Sequence, residues 1–407
     1  MKKILAWLLL SIVSLAWALT PDEFEQLYNT PKKDGATCYK LYQAYAQGDG
    51  VDKDAARARK WLLAAHQCGV EGAREELDNL PWRKALKFKR SIKIAKVDDA
   101  TARAKGEELV RYLMKLSGPE SGSSVSSKDL ELSSADDKNI RQLIAAGADL
   151  NTVVSDGKVG RYTALSLACR HGNLPLAKLL IEHGADPCAD SLLAVEAAHS
   201  AYLALPLTAA APPDKIKRSA KTMIRSDVNN LKTKPSKSMN FGPYPAKTAQ
   251  ELRSIAVMEF LLKNGLEVNM WTNYGSSVAG MLAQFNDVHA LMLFSKAGMD
   301  VNALQNAKEG VSALYNGNRY NYLQEMFGVK PGMSPLCLAI TYYHDCAADA
   351  LLRCKADPDL AIGSGKKASD LAEENAQRSE KSGNKEYAQR MVRVKELLKK
   401  AAAKNAK

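Results

Sequence analysis

The chain has 407 residues, is 46% hydrophobic and 7% aromatic in composition, and carries a formal net charge of +12. This length and apolar content allow large buried cores, which excludes a single small domain and indicates two or three units. Alanine, leucine and lysine are frequent, as in helical repeats that interlock through small residues, so the predicted class is all-α. The basic charge favours anionic partners but does not indicate a fold.

The first eighteen residues have the organisation of a secretory leader. Lys2 and Lys3 precede an apolar run that ends at Leu15, and a small-x-small cleavage site ends at Ala18. The pattern predicts cleavage after Ala18 and an exported chain, either periplasmic or secreted. The alternative is a transmembrane anchor, although the run is shorter than the roughly 20 residues of a spanning helix. No later stretch is long and apolar enough to span a bilayer.

Residues 34–77 contain the first repeat motif of the chain. Gly48, Gly50, Trp61 and Gly69 fall at the spacing of a Sel-one-like repeat, and the segment resembles that relative of the tetratricopeptide repeat. The resemblance implies two antiparallel helices joined by a tight turn, with Trp61 wedged between them.

Two cysteines, Cys38 and Cys68, lie at the start of the first and at the end of the second predicted helix of this unit. Those ends are neighbours in a helical hairpin, which predicts a Cys38–Cys68 disulfide that closes a loop of about 31 residues and contributes roughly 3 kcal/mol. The alternative is a pair of buried thiols. The pairing of the other cysteines stays open; they are Cys169, Cys188, Cys337, Cys346 and Cys354.

A basic segment follows at residues 81–96, with seven lysine or arginine side chains and no acid. Such a run with aromatic neighbours can bind an anionic surface, but we favour a solvated face whose basic side chains extend into water. A helix is predicted from Asp98 to Leu116. The predicted divisions are a leader at 1–18, a Sel-one-like helical repeat domain at 19–117, a Gly/Ser-rich linker at 118–129 and a second domain at 130–407.

The stretch from Thr163 to Pro187 reads as a short helix, a tight turn and a longer helix. Thr163 is placed to cap the first helix, and Gly172 and Gly184 are placed to end the two helices in the left-handed conformation. The pattern Thr-x-Leu-x-x-Ala, His-Gly-Asn, Leu-Leu, Gly-Ala-Asp-Pro closely resembles an ankyrin repeat. The resemblance implies an array of stackable helical hairpins, so that the chain is a helical-repeat solenoid.

The end of the second helix of each predicted repeat recurs along the array, at Gly147, Gly184, Gly265, Gly298 and Lys355. Two intervals far exceed the ankyrin period of about 33 residues, which predicts insertions at about 204–247 and 303–333. The first insertion could instead hold a degenerate extra repeat. Lysine in place of the last glycine predicts a strained turn. A charged C-terminal helix is predicted to cap the array, the alternative being a basic amphipathic membrane helix.

The sequence shows no pattern that is typical of a catalytic, cofactor or metal site. Its six histidines are scattered, and it has no Cys-x-x-Cys or His-Glu-x-x-His spacing, no phosphate loop and no nucleophile elbow. We therefore expect no enzyme activity, no cofactor and no metal.

Aromatic residues gather where ankyrin fingers and first helices form the concave binding surface. The resemblance therefore implies a protein-binding site that contains Trp271, Tyr274, Tyr315, Tyr320, Tyr322, Tyr342 and Tyr343. The alternative is that some of these rings pack the second insertion onto the stack. The expected function is an exported, non-enzymatic protein–protein interaction scaffold. The alternative function is binding of an anionic surface or glycan through the basic segments 81–96 and 212–240.

Overall fold

The computed structural model describes residues 19–86, 90–117, 132–155, 161–189, 243, 249–311, 314 and 332–405. These residues form sixteen α-helices and one two-stranded antiparallel sheet, in which Val154 pairs with Tyr162 and Ser155 with Arg161. This confirms the predicted all-α helical-repeat fold. Within the same residues, the structure contains no helix with the length and apolar character needed to cross a membrane.

The N-terminal part of the chain contributes six helices, namely α1 (Pro21–Tyr28), α2 (Gly35–Gln47), α3 (Ala55–Gln67), α4 (Ala73–Asn79), α5 (Pro81–Ala85) and α6 (Asp99–Leu116). They are followed by α7 (Ser134–Ala145), strands β1 (Val154–Ser155) and β2 (Arg161–Tyr162), α8 (Ala164–Arg170), α9 (Leu174–His183) and α10 (Ala249–Lys263). The last six are α11 (Val278–Gln284), α12 (Val288–Lys296), α13 (Pro335–Thr341), α14 (Asp345–Arg353), α15 (Ala368–Lys381) and α16 (Lys385–Asn405).

Three short helices, α8, α11 and α13, begin in the same way. The hydroxyl groups of Thr163, Ser277 and Ser334 each accept a hydrogen bond from the backbone N–H three residues later, at 2.9, 3.1 and 3.2 Å. These caps satisfy one of the N–H groups that a helix N-terminus leaves without a partner. The predicted cap at Thr163 is confirmed, and its equivalents mark the first helix of each of these repeats.

A second recurring feature is the exit turn, which follows the second helix of a repeat and which we define as residues 147–151, 184–188, 265–269, 298–302 and 355–359. In each exit turn an acidic side chain accepts a hydrogen bond from the backbone N–H two residues later, over 2.7 to 3.0 Å; the acidic residues are Asp149, Asp186, Glu267, Asp300 and Asp357. The predicted repeat positions therefore share one turn geometry.

Consecutive exit turns are linked by a hydrogen-bond ladder. The side-chain oxygens of Asn151, Asn269 and Asn302 accept from the backbone N–H of the acidic residue in the next turn, at 2.7 to 2.8 Å. Between the second and third turns the Cys188 sulfur takes this role and accepts from the N–H of Glu267 at 3.2 Å. The turns that begin at 184 and 265 are therefore neighbours in space.

Side chains from both ends of the chain share one core. A continuous hydrophobic cluster runs from Leu62 of α3 through the repeat helices to Leu398 of α16. A second cluster surrounds Trp61 and includes Val311 from the second predicted insertion. The division of the chain at 118–129 stays a prediction, since the linker lies outside the described residues, but residues from both sides of it pack together.

Candidate functional site

The finger side of the array, which we define as its exit turns together with the loops that lead into the first helices, is contacted by helix α3. Asp54 caps this helix by accepting from the N–H of Arg57 at 2.9 Å. Its basic side chains Arg59, Lys60 and His66 are buried, with 6%, 2% and 5% of their surface exposed. Buried charges are unfavourable unless they are paired, so their partners identify what α3 contacts.

Two of these side chains contact neighbouring exit turns. The His66 imidazole Nε2 lies 2.9 Å from Asp149 Oδ2. The Arg59 guanidinium makes a bidentate ion pair with Asp186, at 2.5 and 3.3 Å, and also donates to the carbonyl oxygen of Gly265 at 2.6 Å. The seven positions from Arg59 to His66 correspond to about 10 Å along the helix axis, which is close to the separation of packed helices in successive repeats. Helix α3 therefore follows the array in register with its repeats.

The Asp149 carboxylate is stabilised in its charged form. Burial alone would raise its pKa, but the hydrogen bond from His66 and the charge of that imidazole lower the pKa to about 2. The backbone N–H of Asn151 and the hydroxyl of Thr152 donate to the same carboxylate at 3.0 and 2.9 Å. Asp149 thus holds its exit turn and the end of α3 together.

The other end of α3 surrounds Glu309, a fully buried residue of the second predicted insertion. Its carboxylate accepts from the Lys60 ammonium, from Arg57 Nε at 3.0 Å and from the Tyr28 hydroxyl at 2.9 Å. Burial raises the pKa of Glu309, and the two cations lower it by more, so that it is held below the ordinary value. The backbone of Gln305 pairs with Gly332 and Met333 at 3.0 Å, so this insertion leaves and returns at one place.

Of the predicted partner-binding residues, Trp271 and Tyr274 lie on the finger side. The Arg57 guanidinium lies 4.6 Å from the centroid of the half-buried Trp271 ring, whose Nε1 donates to the carbonyl oxygen of Leu304 at 3.1 Å. Tyr274 has no exposed surface, and its hydroxyl donates to the sulfur of Met281 at 2.7 Å. Only the Trp271 ring therefore offers surface to a partner in this conformation.

The remaining predicted residues are not brought to the same place. Tyr342 and Tyr343 follow the C-terminal end of α13, whereas Trp271 precedes the N-terminal end of the neighbouring helix α11. The Tyr343 ring stacks on Tyr387 of α16 at 4.6 Å, and Tyr342 stacks on His344 at 6.1 Å. Both tyrosines are half-buried. The predicted residues in the second insertion lie outside the described residues; they are Tyr315, Tyr320 and Tyr322.

The predicted basic segment crosses the C-terminal ends of three second helices. Ala95 N–H donates to the carbonyl oxygen of Ala145 at 2.8 Å, and Ile92 N–H donates to His183 Nε2 at 3.0 Å. Farther back along the chain, Trp82 lies against Gly265. The segment therefore runs against the order of the repeats, and the Arg83 guanidinium lies beside Gly184, at the negative end of the α9 dipole. The other basic segment, 212–240, lies outside the described residues.

The predicted disulfide pair lies at one end of the α2–α3 hairpin. The structure carries both residues as thiols, with Cys38 fully buried and Cys68 half-buried. A hydrogen bond with Cys68, together with burial, raises the pKa of Cys38 above its ordinary range. The disulfide itself stays a prediction. Among the described residues, no three His, Cys, Asp or Glu side chains converge as metal ligands would.

The basic side chains of α3 and their partner Glu309 did not stand out in the sequence, although one signal was present. Residues 61–65 read Trp-Leu-Leu-Ala-Ala, and five consecutive apolar residues cover every face of a helix. A helix that is apolar all round is buried on all sides, so a second contact surface for α3 could have been predicted.

Comparisons with known proteins relate part of the chain to one repeat family. The search of curated proteins found no match. One of the solved structures that match is an ankyrin repeat domain from Acinetobacter baumannii AYE, with 17% identity, a TM-score of 0.36, and coverage of 66% of this chain and 93% of that chain. The model of the ankyrin repeat family matches residues 161–191. That match covers β2, α8, α9 and the exit turn of Asp186, and this stretch of the chain is thus an ankyrin repeat.

Proposed function

We propose that the protein is an exported, non-enzymatic scaffold that binds a protein partner at the finger side of its array. Ankyrin repeats generally mediate protein–protein interactions, and the repeat at 161–191 makes this the first class to consider. Helix α3 already covers part of the finger side, so the partner surface is the part that α3 leaves open.

One observation carries this proposal, the apolar pair formed by Trp271 and Leu304. Leu304 is 38% exposed, and it is one of three large hydrophobic side chains that are exposed among the described residues. Its carbonyl oxygen holds the Trp271 indole, while Arg57 lies against the same ring. A tryptophan fixed by two neighbours loses little entropy on binding, which is typical of the residues that anchor interfaces. The predicted aromatic residues of the second insertion follow shortly after Leu304 in the chain.

The test is affinity capture with the chain from Leu19 onward, comparing wild type with a Trp271→Ala/Leu304→Ser variant. We expect the variant to lose a partner that the wild type retains, with affinity reduced at least about tenfold. The matched control is Tyr387→Ser/Val392→Ser, which removes the other two exposed apolar side chains. Circular dichroism is used to check that each variant is folded. Recovery of the same proteins by both variants and by the wild type would contradict the proposal.

Export and the Sel-one-like assignment are parts of the same proposal. Thr20 caps α1, and its N–H and hydroxyl both donate to the Glu23 carboxylate, at 2.8 and 2.9 Å. A capped helix therefore begins two residues after the predicted cleavage site, which supports processing between Ala18 and Leu19. N-terminal sequencing of the exported protein is expected to begin at Leu19. A chain that retains residues 1–18 in the membrane fraction would indicate the alternative, an uncleaved anchor.

A second candidate function is favoured by one observation on the basic segment. Lys84, Arg90, Lys93 and Lys96 are exposed, and no ion pair joins them to another residue that the structure describes. Such a row would suit an anionic glycan. Retention on heparin that falls steeply with salt, and that is reduced by Lys93→Ala/Lys96→Ala but not by Lys399→Ala/Lys400→Ala, would support this function.

A further inference from the structure

The beginning of α2 and the end of α3 meet at a pair of cysteines. Cys38 lies in the first turn of α2, and Cys68 is the residue that follows α3. A Cβ atom built on Gly35, one turn before Cys38, would lie 3.0 Å from the Cβ of Cys68, so the helix ends are in contact. Antiparallel helices thus hold both sulfur atoms in reach of each other.

The environments of the two thiols differ in a way that matters for reactivity. Cys38 has no exposed surface, whereas Cys68 is half-buried. Arg103 lies beside the end of α3, where it donates to the carbonyl oxygens of His66 at 2.7 Å and Gln67 at 3.4 Å. Arg161 contacts the Gln67 side chain at 3.4 Å. Two guanidinium groups therefore lie at this end of α3, in contact with the residues that directly precede Cys68.

These contacts favour the charged form of Cys68. The hydrogen bond with Cys38 lowers the pKa of Cys68, burial opposes this, and the charges of Arg161 and Arg103 add to the lowering. For Cys38, the hydrogen bond and burial both raise the pKa. The thiolate is the nucleophile in thiol–disulfide exchange, so Cys68 is the more reactive of the two.

We propose that Cys38 and Cys68 form an ordered redox pair, in which Cys68 reacts first with a donor disulfide and Cys38 completes an intramolecular disulfide. In the first step the Cys68 thiolate attacks one sulfur of the donor. The donor S–S bond breaks, one donor thiolate leaves, and a mixed disulfide on Cys68 remains. In the second step the Cys38 thiol loses its proton to solvent, attacks the Cys68 sulfur and displaces the second donor thiolate. Two protein thiols are oxidised by two electrons, and the donor disulfide is reduced to two thiols.

The disulfide would fix the part of α3 that contacts the array. His66, whose imidazole binds Asp149, and Gln67, whose side chain donates to the carbonyl oxygen of Ala189, directly precede Cys68. Joining Cys68 to α2 restricts the fraying of this end of α3. Oxidation is therefore coupled to the contact between α3 and the finger side. This inference goes beyond the proposed function and depends neither on export nor on a partner.

The experiment uses the chain from Leu19 onward, purified under reducing conditions and then equilibrated with oxidised glutathione. We expect mass spectrometry to show the loss of two hydrogen atoms and non-reducing peptide mapping to join the peptides that contain Cys38 and Cys68. The oxidised chain should have a melting temperature several degrees higher than the reduced chain. It should also show slower amide hydrogen exchange in α2 and α3, with no change in α13 and α14.

Two single variants test the order of the steps. In Cys38→Ser, the half-buried thiol of Cys68 is expected to gain one glutathione, whereas in Cys68→Ser the fully buried Cys38 is expected to gain none. The matched control is Cys337→Ser/Cys346→Ser, which removes two other buried thiols and should leave the disulfide unchanged. The proposal would be overturned if Cys38 and Cys68 both stayed free under conditions that fully oxidise a reference dithiol. A disulfide that lacks Cys38 or Cys68 in the peptide map would overturn it as well. Glutathione on Cys38 in Cys68→Ser would overturn the order of reaction.

Discussion

Arg59 and Asp186 are 127 residues apart in the chain and form a buried bidentate ion pair, with Nη2 to Oδ1 at 2.5 Å and Nε to Oδ2 at 3.3 Å. Asp186 also accepts from the N–H of Cys188 at 2.7 Å, and its own N–H donates to Asn151 at 2.7 Å. The side chain that orders the exit turn of one ankyrin repeat is therefore the same one that holds the N-terminal helix α3. The turn and the contact with α3 share a single carboxylate, and the backbone N–H of the same residue makes the ladder contact.

Replacing only one partner of this pair should be strongly destabilising. We expect Arg59→Met to lower the free energy of unfolding by about 3–5 kcal/mol, because it leaves the Asp186 carboxylate buried without its cation. The double variant Arg59→Met/Asp186→Asn removes that charge and keeps an oxygen for the Cys188 N–H, so it should cost clearly less. Urea unfolding measures both. The control is Arg141→Met, which breaks an exposed pair with Asp137 and should change stability little. A double variant as unstable as Arg59→Met would refute this account.

Cys188 should be replaceable by asparagine, but not by an apolar residue of similar size. Asparagine fills the same ladder position at 151, 269 and 302, where its oxygen accepts the N–H that the Cys188 sulfur accepts here. We expect the free energy of unfolding of Cys188→Asn to lie within about 1 kcal/mol of the wild-type value. Cys188→Val should lose about 1–3 kcal/mol, because the Glu267 N–H would lose its acceptor. Thermal unfolding compares the two variants, and equal stability would argue against the ladder.

The backbone conformation of Lys355 should destabilise the fold, and replacement by glycine should remove this effect. Its φ of +69° lies in the left-handed region, as the sequence predicts, and four other exit turns have glycine with positive φ at this position. We expect Lys355→Gly to raise the free energy of unfolding by about 1 kcal/mol. The reverse change, Gly298→Ala, should lower it by a similar amount, since an added Cβ there meets no atom within 4 Å and only the backbone matters. A loss of stability in Lys355→Gly would be the contrary result.

His344 should make the fold less stable as the pH falls from about 6.5 to 4. Burial lowers the pKa of His344 to about 4, although the hydrogen bond between Nε2 and the carbonyl oxygen of Gln284, at 2.8 Å, opposes this. In that pH range the unfolded imidazole binds a proton that the folded one does not, so protonation favours unfolding by up to about 3 kcal/mol. His344→Gln should flatten the pH dependence of the unfolding free energy in this window. An unchanged slope would show that other groups cause it.

The repeat positions could be predicted from the sequence because local chemistry determines them. Glycine or an equivalent residue ends each second helix, an acidic side chain two residues later orders the turn, and a hydroxyl begins the next first helix. These signals lie within a few residues of one another, so they can be read without knowledge of the fold. The position of Trp271 on the finger side could likewise be predicted, because this residue follows an exit turn. The interior position of Tyr274 was not, since its contact with Met281 depends on how the finger folds back.

The docking of α3 could not be predicted, because its partners are remote in the chain. Lys60 and Glu309 are separated by 249 residues, and no sequence motif contains both of them. Hydrophobic periodicity reports which face of a helix is buried, not which distant segment covers it. Helix α6 shows the same limit: it reads as part of the N-terminal unit, yet Leu109 and Leu113 share a core with Ile144 and Leu165 of the repeats.

The antiparallel course of the basic segment has a consequence for the order of folding. Trp82 lies against Gly265, and Val97 lies against Gly147. The part of the segment that is synthesised first therefore contacts the repeat that is synthesised later. Helix α3 and the basic segment therefore complete their contacts with the repeats only after most of the array has been synthesised. A chain that stops before Glu309 would leave the buried Lys60 without its counter-ion, so truncation from the C-terminus should first destabilise the opposite end of the polypeptide.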